Sequence, residues 1–150
     1  MLESLYRAVY LSIIIRFLRL TRRKLLRPAP KLVMPPAAPG DTPVRLTLGA
    51  MVRTGDKWDA FMVSGAATAT ISNSQSTWLH HAMVTASDGF RQELSANCKL
   101  MLGIWSPELK KPLITAPALA RMFGLSGTQE ARFTAMFNYL VHQFNEAVSR

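Results

Sequence analysis

The side chains best suited to acid–base or metal chemistry are His80, His81, His142, Asp88 and Glu93, with Cys98 as the single thiol. Metal binding by His80 and His81 is disfavoured, because adjacent residues on a helix project about 100° apart and do not converge on one ion. His81 and Asp88, seven apart, fall on one helical face, yet no His-x₃-His or Cys-x₂-Cys spacing accompanies them. Ser64-Gly65 lacks the Gly-x-Ser-x-Gly setting of a nucleophile elbow, and Gly65-Ala-Ala-Thr68 is not followed by the Lys-Ser/Thr of a phosphate loop. Cys98 has no predictable His partner, and with Leu94 and Leu102 four residues to either side it reads as a small core residue. A lone cysteine is compatible with a reducing compartment, the cytoplasm or an organelle matrix. These residues point away from an enzyme and imply no cofactor and no metal.

Charge gives the stronger signal. The net charge is +9 over 150 residues, with 18 Lys and Arg against nine acids. Residues 1–31 hold eight of those cations against Glu3 alone, a balance of +7, which leaves +2 for residues 32–150. A basic block of this kind seeks an anionic partner, either a lipid surface or nucleic acid.

Residues 2–27 contain neither Gly nor Pro and are expected to form one helix. Arg16, Arg19, Arg23 and Arg27 share a face by their 3–4–4 spacing, with Arg22 and Lys24 adding to the cluster. Tyr10, Ile14, Phe17 and Leu25 fall broadly opposite, and Leu18 adds to the apolar run. Only eight residues separate Arg7 from Arg16. That is far short of the roughly 20 apolar residues of a membrane span. A helix lying in the membrane surface, arginines toward headgroups, fits better. Should it span, Arg22-Arg23-Lys24 would hold its C-terminal end on the cytoplasmic or matrix side. Packing on another protein subunit, or removal as an organelle transit peptide, are the other fates for such a segment. Nucleic acid is the alternative partner, since four arginines on one face can track a phosphate backbone. The isoleucines and Phe17 contribute nothing to a phosphate and favour lipid or protein.

Six prolines between Pro28 and Pro43 exclude helix and central strand, so residues 28–43 read as an extended linker between the helix (1–27) and a domain (44–150). An α+β domain is expected there, with two or three short antiparallel strands followed by three helices. Val44–Leu48 alternates as a strand, Thr54-Gly55-Asp56-Lys57 is a turn, and Trp58–Val63 returns. Thr68–Ile71 is a third candidate strand, and Ser72–Ser76 a polar loop that supplies caps for the next helix. That helix is expected from about Thr77 to Ile104, broken or kinked at Asp88-Gly89. Thr115-Ala-Pro117 starts a short helix that stops at Gly124. Ser126 and Gln129 have capping-box spacing before a final helix. Its stripe of Phe133, Met136, Phe137, Leu140, Val141, Phe144 and Val148 should face the core. Trp58, Trp78, Trp105 and eight Met belong to that core or to a partner surface.

Ala116–Ser126 resembles the first helix and turn of a helix-turn-helix DNA-binding motif, with Ala120 and Gly124 four apart at the tight turn. The resemblance stops at Glu130, where that family packs an apolar side chain, and Arg132 is the one cation nearby on the last helix. The reading favoured by the whole sequence is a non-enzymatic accessory or adaptor subunit of a membrane-associated assembly, anchored by its N-terminal helix.

Overall fold

The computed structural model describes residues 32–90, Leu94 and residues 98–149. The N-terminal helix expected over residues 2–27, and with it Tyr10, Ile14, Phe17, Leu18, Leu25, Arg16, Arg19, Arg22, Arg23, Lys24 and Arg27, lies outside the described residues. Among the described residues no helix is long and apolar enough to cross a membrane.

The domain is α+β, a mixed sheet with helices against one face. Strand β1 (Pro43–Thr54) is twelve residues long. It turns through Gly55, at φ +72°, into β2 (Lys57–Val63). The antiparallel register runs from Thr54 opposite Lys57 to Gly49 opposite Met62. Strand β3 (Ala69–Ser72) pairs with the first residues of β1, Pro43 to Leu46. Helix α1 (Asn73–Ser87) begins directly after it. Its capping box is Ser72 and Gln75, whose side chains satisfy each other's backbone N–H groups.

The long helix expected over Thr77–Ile104 is a helix, a 3-10 turn and a strand. Helix α1 ends at Ser87, a short 3-10 turn covers Asp88–Phe90, and Cys98–Trp105 is strand β4. It pairs antiparallel with β1 from Thr54 opposite Cys98 to Thr47 opposite Trp105. Leu94, Cys98 and Leu102 match helical spacing, but Leu100, Leu102 and Ile104 match a strand equally well. Pairing with the buried β1 decides between them, as tertiary context does for short apolar runs. Another 3-10 turn (Pro107–Leu109) leads to β5 (Leu113–Ile114), a two-residue strand parallel to β2 that the sequence pattern does not announce. The sheet therefore has five strands, where the pattern suggests two or three, and one of its pairings is parallel.

Helix α2 (Ala116–Met122) is capped by Thr115 and stops before Gly124, at φ +71°. Helix α3 (Gly127–Val148) has Ser126 as N-cap without a side-chain cap hydrogen bond, so the capping box expected there does not form. Its stripe of Phe133, Phe137, Leu140, Val141, Phe144 and Val148 is buried, and Met136 is half-buried. Phe90, Phe123, Phe133 and Phe137 form one aromatic cluster, with Phe90 and Phe133 centroids 5.0 Å apart. Phe90 thereby ties the end of α1 to α3. Leu46, Leu48, Ala50 and Val52 on alternate positions of β1 face this helical layer and complete the core.

Residues 32–42 lie along the domain. The Leu32 amide donates to Gln143 on α3, and Gln75 on α1 donates to the Pro35 carbonyl. The Asp41 carboxylate accepts from the amide and hydroxyl of Ser74. The Ser74 hydroxyl is also the main reason its carboxyl is held below the ordinary range.

Candidate interaction surface

Alternation along β1 sends Thr47, Gly49, Met51 and Arg53 to the side of the sheet opposite Leu46, Leu48, Ala50 and Val52. Their register partners continue that face in rows. Thr47 meets Trp105; Gly49 meets Gly103 and Met62; Met51 meets Met101 and Ala60; Arg53 meets Lys99 and Trp58. Leu113 stands beside Met62. Here Leu113 is 70 % exposed, Trp58 45 % and Met101 38 %. This aromatic and methionine-rich face ends in two cations, Arg53 and Lys99, and carries three of the six exposed large apolar side chains among the described residues.

The glycines at its centre are explained by what lies on them. A Cβ on Gly49 would sit 2.4 Å from the Trp105 ring, and one on Gly103 would sit 2.9 Å from the His80 ring. Glycine inside a strand marks such close approach. Arg45 and Glu108 close the end of the face with a 2.9 Å ion pair between exposed groups. The Ser106 hydroxyl is the largest influence holding the Glu108 carboxyl below its usual range, assisted by its own amide and by Arg45.

The two outer edges of the sheet differ. On β4, the Leu102 amide donates to Ser87 Oγ at 2.7 Å and the Ile104 amide to His80 Nδ1 at 3.3 Å. Both acceptors belong to α1, so that helix closes this edge, a common protection for unpaired strand groups. On β2, the Met62 amide donates to the Pro112 carbonyl at 2.8 Å, and β5 pairs only with Met62 and Val63. Backbone groups of alternate residues point to the same edge, so Trp58 and Ala60 present their N–H and C=O groups on that side as well. Among the described residues no strand pairs with them there.

The sequence candidates for chemistry are not brought together. His80 serves the β4 edge, and His81, Asp88 and His142 are exposed at separate places on α1, its C-terminal end and α3. Glu93 lies outside the described residues. Among the described residues no three His, Cys, Asp or Glu side chains are grouped to hold a metal. Ser64-Gly65 is a turn, with Gly65 at φ +86°, whose carbonyl accepts from Asn145 at 3.0 Å. Cys98 is half-buried at the start of β4 and packs on the core. In the helix-turn-helix look-alike, α2 has seven residues, and α3 commits Phe133, Phe137 and Phe144 to the core while Arg132 stays exposed. Comparison with protein-family models, curated proteins and solved structures finds no match to this chain.

Proposed function

We propose that this chain is a non-enzymatic adaptor or accessory subunit of a membrane-associated assembly. In this reading residues 1–27 hold an anionic membrane surface while the domain meets other protein subunits. The observation that carries the proposal is the segregation of charge and grease: eight Lys and Arg against one acid in residues 1–31, interleaved with Ile13, Ile14, Ile15, Phe17 and Leu18. Apolar side chains gain roughly 25 cal/mol per Å² on leaving water, and arginines gain from anionic headgroups, so one segment satisfies both at an interface. Leu32 lies on the helical layer beside Gln143, and the exposed Trp58, Met101 and Leu113 on the sheet are the candidate protein contacts in this reading.

Vesicle flotation of the full chain tests the anchoring. The wild type is expected to float with phosphatidylserine-containing vesicles. Changing Arg16, Arg19, Arg23 and Arg27 together to Gln should release it, each charge contributing up to about 1 kcal/mol near such a surface. Unchanged flotation, with loss of DNA or RNA binding that depends steeply on salt, would transfer the arginine face to a nucleic-acid partner.

A further inference from the structure

The open edge of β2 is a short window with defined ends. The Gly55-Asp56 turn bounds it on one side, and Pro112, bonded to the Met62 amide, bounds it on the other. Between them lie Lys57, Trp58, Asp59, Ala60 and Phe61, of which Trp58 and Ala60 point their backbone groups outward. Lys57, Trp58 and Asp59 are exposed, and among the described residues Arg45–Glu108 is the ion pair present, so Lys57 and Asp59 have no such partner.

The geometry points to a second copy of this chain as the occupant: two β2 edges pair antiparallel about a two-fold axis at Trp58 and join two sheets into one. Such pairing places Lys57 of each copy opposite Asp59 of the other, giving two complementary charge pairs. Trp58 meets Trp58 of the second copy on the open face, and these residues exchange both backbone hydrogen bonds, since both point outward. Ala60 falls opposite Asp56 of the second copy, and the hairpin tip ends short of Pro112. Centring the axis on Asp59 would still align outward-pointing groups, but it sets two aspartates face to face and brings the tip against Pro112. Like charges directly opposite destabilise a strand pair, whereas opposite charges and aromatic pairs support it. A self-complementary patch of this kind is what a two-fold interface requires.

Edge pairing extends the adaptor reading without depending on the membrane segment. The test is sedimentation velocity of the full chain across a range of concentrations. The wild type should pass from monomer to dimer. Asp59→Lys, which puts lysine opposite lysine twice, should weaken association at least about tenfold. The charge-swapped double variant Lys57→Asp/Asp59→Lys should restore it. Thermal midpoints matching the wild type confirm that each variant is folded. Because neither substitution touches residues 1–31, association driven by the apolar N-terminal segment would persist in Asp59→Lys. That result, or a wild type monomeric throughout, overturns the proposal. Vesicle flotation of the same variants should be unchanged, so failure of the anchoring and failure of the edge pairing are read separately.

Discussion

Strands β2 and β4, both paired with β1, solve the same physical problem at their far edges in opposite ways. Strand β4 has outward-pointing amides at Leu102 and Ile104, and α1 supplies Ser87 and His80 to receive them. Strand β2 has the corresponding groups at Trp58 and Ala60, and β5 reaches only Met62 and Val63. Closure of the first edge comes from within the domain and contributes to its stability. The second edge carries an exposed tryptophan between two opposite charges, and among the described residues no strand pairs with its outward groups. An edge left open beside an exposed apolar face is an interaction site or an aggregation hazard, and the charges at Lys57 and Asp59 restrict what can add to it.

Stability should therefore be sensitive behind the closed edge and insensitive at the open one. Phe137→Ala should have the largest effect. Phe137 is buried and stacks with Phe133, and both pack on Phe90, which pins the end of α1. Its loss should cost about 3–5 kcal/mol in urea unfolding, from cavity formation as well as lost burial. An unchanged unfolding midpoint would move the α3 stripe out of the core and leave α1 without its anchor.

Ser87→Ala sharpens the comparison. The Ser87 hydroxyl accepts from the buried Leu102 amide and donates to the Met83 carbonyl. Removing it leaves the amide without an acceptor, an expected loss of about 1–3 kcal/mol by the same unfolding measurement. A neutral result would mean that α1 is not needed to close β4.

His80→Ala should be smaller. His80 is exposed, so water can replace the ring as acceptor for the Ile104 amide, and a change within about 0.5 kcal/mol is expected. Gly103→Ala should cost more than His80→Ala, because its Cβ needs the ring to move. In the His80→Ala background most of that extra cost should vanish, a coupling readable from a double-mutant cycle.

Much of the fold is legible in the sequence because local rules and tertiary packing agree. The Thr54–Lys57 turn, the Trp58–Val63 strand, the Gly124 stop and the α3 stripe all obey turn chemistry or a clear period. Strand β4 is hidden because Leu94, Cys98 and Leu102 satisfy a helical period beyond the Asp88-Gly89 break, and only β1 supplies the reason for a strand. Ser126 and Gln129 have the spacing of a capping box, but the box that forms is Ser72 and Gln75, a pair of the same spacing inside a stretch that reads as a loop. Strand β5 is two residues long and parallel, too short to leave a pattern. The open edge leaves no local trace at all. Whether Trp58 and Ala60 have partners depends on how far β5 extends, a property of topology and not of the residues around Trp58. Gly49 and Gly103 do carry a signal: glycine in the middle of an apolar strand, with Trp105 and His80 available to lie on it.

Backbone amide hydrogen exchange, followed at Leu102 and Trp58 as the full chain is concentrated, tests the difference between the edges most directly. The Leu102 amide should be strongly protected at every concentration, because Ser87 belongs to the same chain. The Trp58 amide should exchange freely in dilute protein and slow as a second copy pairs with it. A Trp58 amide as protected as Leu102 in dilute protein, or one that stays fast at the highest concentration, would contradict an open edge that a second copy closes.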